Sequence, residues 1–241
     1  MKKEELKVLA VIPARGGSKG VPKKNIKNLN GKPMLYYMLD AARKSKLLDK
    51  IIVSTESEEI AQVAKDLGAE VPFLRPKEMA NDTISVTVAA KHAMEFFDRQ
   101  GEHFDAVISL QVTNPLTLPE DIDACVQKML DTDCDSVLSM KVIEDAHPWR
   151  IYDLKGDKVL PFNSETNENF PQRQDRPVCY KFSGAVFMRK RILLEQWNSV
   201  DFALGDDRRG VLIPYERSVD INVPLDFAVA EALLKEIEAN K

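Results

Sequence analysis

The sequence predicts an α/β fold with a mainly parallel sheet and helices on both faces. Two observations carry this prediction. Short β-branched runs alternate with helix-length amphipathic stretches through the first half of the chain, a pattern that needs crossover connections. Polar motifs also recur where the predicted strands end, and open α/β sheets bind their ligands at that edge.

Strands are predicted at Lys7 to Ile12, Lys50 to Ser54 and Ala106 to Leu110. Between the first two, Met34 to Ser45 places Leu35, Met38, Leu39 and Ala42 at helical spacing, with Pro33 suited to the first turn. Ser57 to Leu67 reads as a second helix. Ser57 caps it, Ile60, Val63, Ala64 and Leu67 form its stripe, and Gly68 stops it. Further helices run from Ile84 to Asp98 and from Pro119 to Leu130. The second half is less regular: a strand at Ser136 to Val142, a hairpin at Ile151 to Leu160 turning around Gly156, and a polar loop at Asn163 to Arg176. A strand at Val178 to Met188, a short one at Leu212 and Ile213, and a closing helix at Pro224 to Glu238 complete the pattern. One domain over residues 1–241, with an excursion at about 140–177, is the simplest organisation.

At 241 residues, 44% hydrophobic and 30% charged, the chain is long enough for one large domain with a sizeable core. It has no apolar run long enough to span a bilayer, which argues against a membrane role. The start, MKKEELK, runs straight into a strand and resembles neither a signal nor a transit peptide, so the expected location is cytoplasmic. Cys125, Cys134 and Cys179 have no ligand spacing and read as reduced thiols. A net charge of −4 argues against a nucleic-acid surface.

Cations concentrate instead in PARGGSKGVPKKN, Pro13 to Asn25, directly after the first strand. Glycines let backbone N–H groups approach phosphate oxygens, and Arg15, Lys19, Lys23 and Lys24 supply neutralising charge. The loop is neither GxxxxGK[ST] nor GxGxxG, so it is not a kinase-type or dinucleotide fingerprint. A surface turn with solvated lysines is the alternative, but strand, glycines, cations and Asn25 in one short span favour a nucleoside triphosphate site.

Three further motifs sit at predicted strand ends. Ser54-Thr55-Glu56 follows the second strand, and Gln111-Val112-Thr113-Asn114 follows the third with groups able to read a base or a ribose. Val219-Asp220-Ile221-Asn222 precedes the last helix, so the two polar side chains fall on one side of an extended segment. With phosphate oxygens, that pair could hold a hard cation such as Mg²⁺; helix capping by Asn222 or Asp226 is the competing explanation. No Ser/His/Asp or Cys/His nucleophile set stands out, which fits a reaction run by metal and positioning.

These stretches, together with STES, RPKEMANDTIS, SLQVTNPL, HPWR, PQRQDRPVCYKFSGAVF and DIN in the same order, resemble the acylneuraminate cytidylyltransferases, or CMP-sialic acid synthetases. The resemblance covers almost the whole chain. It implies a Rossmann-like nucleotide-diphospho-sugar transferase fold and a homodimer built on the excursion. It also implies Mg²⁺-dependent transfer of CMP from CTP to the 2-hydroxyl of a nonulosonic acid, of the sialic, legionaminic or pseudaminic type, with release of pyrophosphate. Position by position, Arg15, Ser18, Lys19 and Lys24 would hold phosphates and Asn25 would contact the nucleotide. Arg75 and Asp82 would lie by the cytidine or ribose. Gln111 and Thr113 would face the sugar acid, and Arg150, Arg173 and Lys181 would be its binding cations. Asp220 and Asn222 would form the metal pair, with Arg15, Lys24 and Asp220 closest to the chemistry.

The family's common QPTSPLR here reads QVTNPLT, so Thr117 replaces an arginine; Asn222 stands where some members have a second aspartate; and Lys181-Phe182-Ser183-Gly184 replaces Arg-Pro-Asn-Gly. These departures keep two alternatives open. One is a sugar-1-phosphate nucleotidyltransferase of the same fold, possibly using GTP. The other is a nucleotide- or sugar-binding protein without catalysis.

Overall fold

The computed structural model describes residues 5–17, 20–80, 86–143, 146–162, 172–198 and 201–239. In chain order its elements begin with β1 (Val8–Pro13), β2 (Asn28–Leu29), β3 (Lys32–Pro33), α1 (Met34–Lys44), β4 (Lys50–Ser54), α2 (Glu58–Asp66), α3 (Val86–Asp98), β5 (Ala106–Leu110) and α4 (Pro119–Thr132). There follow β6 (Ser136–Val142), β7 (Tyr152–Lys155), β8 (Lys158–Pro161), β9 (Tyr180–Lys190), α5 (Arg191–Glu195), β10 (Arg208–Leu212) and α6 (Pro224–Ala239).

Among the described residues, six strands form the central sheet in the order β10-β6-β9-β5-β1-β4. β1 pairs in parallel with β4 and β5, and β6 with β10, while β9 runs antiparallel between β5 and β6. The sheet is therefore mainly parallel, as the alternating pattern predicts.

Both faces of the sheet are covered, and β1 shows why its sequence is continuously apolar. Val8, Ala10 and Ile12 pack with α1, α4 and α6, through side chains such as Leu35, Met38, Val126, Met129, Phe227 and Ala230. Leu9 and Val11, pointing the other way, pack against Ala90, Ala93, Met94 and Phe97 of α3 and Leu194 of α5.

Local signals hold where they were strong. Ser57 caps α2 by accepting from the Ile60 amide at 3.3 Å, and Gly68 leaves that helix at φ +79°. β7 and β8 form the predicted hairpin around Gly156. Several boundaries differ by one or two residues: β1 is shifted by one, α4 runs two residues further and β9 lies two residues later than Val178 to Met188. β10 begins at Arg208 rather than Leu212, because an edge strand with one unpaired side tolerates charged, exposed residues that carry no apolar period. α3 is described from Val86, and Ile84 and Ser85 lie outside the described residues. The two-residue strands β2 and β3 and the five-residue α5 are too short to show a period. Of the Asn163 to Arg176 loop, residues 163–171 lie outside the described residues, and Arg173–Asp175 form a 3₁₀ turn. No described helix is long and apolar enough to cross a membrane.

One interior group is anomalous. Arg189 on β9 is fully buried; among the described residues Nη1 has the Ser109 hydroxyl at 3.4 Å as its partner, and Nε and Nη2 have none. Burial lowers its pKa to about 10. Replacing a poorly compensated buried charge by an apolar side chain of similar length is often neutral or stabilising. Arg189→Met is therefore expected to keep or raise the Tm, by about 2–4 °C for each kcal/mol gained. Thermal melts of the two proteins check this, and a large fall would show that the guanidinium is satisfied in solution.

Candidate active site

Four chain segments meet at the carboxyl edge of the sheet: the loop after β1, the end of β4, the turn after β5 and the run of residues before α6. The first loop folds back on the last segment. Lys24 donates from Nζ to the Ile221 carbonyl oxygen at 2.5 Å, and Asn25, buried, donates from Nδ2 to the Arg15 carbonyl at 2.8 Å. Gly20 is needed for this approach, because a Cβ there would overlap the Asn222 carbonyl oxygen. The segment before α6 is itself anchored to the turn after β5, since the Ile221 amide donates to the Thr113 carbonyl at 2.8 Å. Arg217 pairs with Asp121 at the start of α4 and holds the segment from the other side.

Glu56, at the end of β4, ties the first loop to Arg75. Its Oε1 accepts from the Gly16 amide at 2.6 Å and its Oε2 from Arg75 Nη2 at 3.3 Å. Arg75 is 5% exposed and also reaches the Ser54 hydroxyl at 3.4 Å, while its Nε is buried without a partner among the described residues. Burial lowers the Arg75 pKa, against the pull of Glu56.

Asp220 and Asn222 share one side of the extended segment, as their spacing predicts: Asn222 Nδ2 donates to Asp220 Oδ2 at 2.9 Å. Buried Asn114 donates to Asp220 Oδ1 at 3.4 Å. Gly184 on β9 lies next to Asp220 at φ +90°, a backbone conformation that favours glycine; a Cβ would be in ordinary contact with Asp220 Oδ2 at 3.5 Å. The predicted capping role falls to Asp226, whose Oδ2 accepts from the Asn222 and Val223 amides at 2.8 and 2.9 Å, so the side chains of Asp220 and Asn222 are not used as caps. Among the described residues no group of three or more His, Cys, Asp or Glu gathers as a ready-made metal centre. One carboxylate and one amide oxygen are hard donors, and they fit a Mg²⁺ ion whose remaining ligands are phosphate oxygens and water. Burial pushes the Lys24 amine below its ordinary value, opposed by Asp220; Arg15 adds to the lowering and Asp226 counters it. Cations of the first loop and the carboxylate of the last segment thus share one electrostatic neighbourhood.

Gln111 and Thr113 lie on the turn after β5, and the Gln111 Nε2 is a buried donor without a partner among the described residues. Beside Asp220 opens a cavity of about 680 Å³ whose lining includes Lys141, Lys181, Ser183, Asp220, Asn222 and Val229. Lys141 was not singled out by the sequence, because a lysine near the end of a strand carries no motif. Its Nζ donates to the Ser218 carbonyl at 2.6 Å. Arg150 stands on a 3₁₀ turn at the base of the β7–β8 hairpin and is not part of this lining. Ser18, Lys19 and Asp82 lie outside the described residues, and of Arg173 only the backbone is described. Thr117 is buried, donates to the Asn114 carbonyl at 3.0 Å, and borders a separate groove between α1 and α6.

A cytidylyltransferase family model matches residues 9–196. The chain is 34% identical over 233 residues to a CMP-N,N'-diacetyllegionaminic acid synthase of Legionella pneumophila, covering 95% of this chain and 97% of that one. It is 29% identical to a pseudaminic acid cytidylyltransferase of Campylobacter jejuni, covering 95% and 97%. Its fold matches that of a CMP:2-keto-3-deoxy-manno-octonic acid synthetase complexed with CTP, with a TM-score of 0.70 at 20% identity, covering 96% and 99% of the two chains.

Gly20→Ala would force the first loop off the Asn222 carbonyl. It is expected to weaken nucleoside triphosphate binding at least about tenfold in calorimetric titration, about 1.4 kcal/mol, while far-UV circular dichroism stays unchanged. Unaltered affinity would show that this docking is dispensable.

Proposed function

The chain belongs to the cytidylyltransferase family, and on that premise we propose that it transfers CMP from CTP to the 2-hydroxyl of a nonulosonic acid of the sialic, legionaminic or pseudaminic type. The observation that carries this reading is the docking of the cationic first loop onto the Asp220–Asn222 segment through Lys24 and Ile221. It brings the residue types that neutralise phosphates beside those that hold a hard cation. The similarity to synthases and cytidylyltransferases named for legionaminic and pseudaminic acids supports the acceptor class.

In the proposed reaction the acceptor's 2-hydroxyl oxygen forms a bond to the α-phosphorus of CTP, the bond from that phosphorus to the bridging oxygen of the β-phosphate breaks in line, and pyrophosphate leaves with the pair of electrons. The hydroxyl proton passes to solvent. Arg15 and Lys24, with Ser18 and Lys19, hold the phosphate oxygens; Asn25, fixed on the Arg15 carbonyl, shapes the loop and contacts the nucleotide. Arg75 and Asp82 lie toward the cytidine and ribose. Gln111 and Thr113 face the sugar acid, with the unpartnered Gln111 Nε2 supporting that role, and Arg150, Arg173 and Lys181 supply cations for its carboxylate. Asp220 and Asn222 would hold Mg²⁺, which neutralises charge developing on the phosphates. Catalysis of this kind needs positioning more than a protein nucleophile.

Thr117 uses its hydroxyl on the Asn114 carbonyl and borders the groove between α1 and α6 rather than the cavity beside Asp220. The preference for a sugar-acid acceptor over a sugar 1-phosphate rests on the similarity to the enzymes named for sugar acids. We also propose that residues 1–241 act as one nucleotidyltransferase domain and pair as a homodimer through the excursion. On β7 and β8, Leu154 and Val159 are direct register partners on one face and are 68% and 64% exposed, an apolar pair suited to a second copy. Free thiols at Cys125, Cys134 and Cys179, and a nucleoside triphosphate as substrate, support a cytoplasmic location.

Pyrophosphate release, assayed with Mg²⁺ for CTP, GTP, UTP and ATP against nonulosonic acids and sugar 1-phosphates, is expected only with CTP and a sugar acid. Release with a sugar 1-phosphate alone, or CTP binding without turnover of any acceptor, would overturn the reading. Asp220→Ala is expected to lower turnover at least about tenfold, and an unchanged rate would remove Asp220 from the metal site. Leu154→Glu combined with Val159→Glu is expected to convert a dimer to a monomer in sedimentation velocity; a monomeric wild-type protein would refute the pairing.

A further inference from the structure

Lys141 and Lys181 face each other across the β6–β9 ladder. They are direct register partners in an antiparallel pair, so their side chains emerge on the same face, and both line the cavity beside Asp220. This opposition is built by an irregularity. The β6–β9 register shifts between Leu138 and Met140, so that Leu138 pairs with Phe187 but Met140 with Phe182, and the extra β9 residues 183–186 bulge out. The bulge is held by Ser139, whose Oγ accepts from the Ser183 hydroxyl at 2.6 Å and from the Val186 amide at 2.8 Å. Beyond it, the strands rejoin with one lysine opposite the other.

Like charges directly opposite each other in a sheet are unfavourable. Here neither ammonium has a carboxylate within 4.0 Å among the described residues, and Lys141 is half-buried with one described partner, the Ser218 carbonyl. Asp220 and Asp226 lie close enough to be felt at Lys141, and so does Lys181. The cavity lining is mixed: Val142, Ile143, Val229 and Leu233 stand beside the pair, and Glu216 and Asp226 join Asp220 as its carboxylates. An anion between the two ammonium groups would relieve their repulsion and accept a charge-assisted bond from each.

We propose that Lys141 is a specificity-determining residue of the reaction: together with Lys181 it grips the carboxylate of the acceptor acid and sets that acid beside Asp220. The inference rests on the proposed cytidylyl transfer to a sugar acid. It adds Lys141, set opposite Lys181 beyond the β6–β9 bulge, to the cations that recognise the acid function. The phosphates are gripped elsewhere, by Arg15 and Lys24, so the two anions of the reaction have separate cationic sites.

The test compares wild type, Lys141→Met, Lys141→Arg and Lys181→Met, using the sugar acid of highest wild-type kcat/KM and its neutral methyl ester. Lys141→Met is expected to raise the KM for the acid at least tenfold and leave the KM for CTP within twofold, and Lys141→Arg to recover most of the loss. With the methyl ester, Lys141→Met and wild type should have the same kcat/KM, an equality that a merely structural role for the lysine would not produce. A rise in the KM for CTP, or an equal penalty on acid and ester, would overturn the assignment. If wild type turns over no sugar acid, the functional reading fails separately, and the pair is then read by thermal shift with N-acetylneuraminate and its methyl ester. Stabilisation of wild type by the acid alone, lost in Lys141→Met, supports the grip; no stabilisation, or the same stabilisation in both proteins, refutes it.

Discussion

The carboxyl edge of the sheet depends on one contact, the ammonium of Lys24 on the backbone carbonyl of Ile221. A charged donor on a carbonyl is typically worth about 1.5–3 kcal/mol, and here it closes the first loop against a segment 197 residues later in the chain. The contact is possible because Gly20 lacks a Cβ where the loop meets the Asn222 carbonyl. It is productive because the other side of the segment is fixed already: Ile221 to the turn after β5, and Arg217 to Asp121 of α4. The ends of β1 and β5 and the start of α6 are thereby held at one spacing, which a reaction driven by positioning requires.

That geometry crowds charge in a particular way. Arg15 and Lys24 form one group of cations and Lys141 and Lys181 another, and the carboxylates of Asp220 and Asp226 are felt by both groups. Glu56 does not relieve them; it is occupied by the Gly16 amide and by Arg75. Two anionic substrates and a divalent cation would complete the balance, with each anion on its own cations and the metal on Asp220. Because the donors are in place before the substrates arrive, little reorganisation is needed at the moment of reaction.

The strands and helices that bury an apolar face were legible in the sequence to within a residue or two, because burial imposes the period that sequence shows. β4, β5 and β6 have the predicted limits, and the Ser57 cap and the Gly68 stop are where the local chemistry puts them. What could not be read was whatever depends on long-range pairing. β10 is an edge strand whose arginines hide it, and the β6–β9 bulge appears only once two strands 44 residues apart are in register. The same limit applied to the site. Asp220 and Asn222 were legible because two residues on one extended segment share a side by local geometry. Lys141 was not, since its importance comes from what lies opposite it. Thr117, where the family commonly has an arginine, is a buried hydroxyl bonded to its own turn, a contact that the motif alone does not show.

The central claim is that the first loop and the Asp220–Asn222 segment together form one triphosphate and cation site. A crystal structure with CTP and Mg²⁺ tests it most directly. Expected is a triphosphate lying between Arg15, Lys24 and Asp220, with the metal on Asp220 and the phosphate oxygens. A nucleotide bound away from Lys24 and Asp220, or a metal held by other residues, would contradict it.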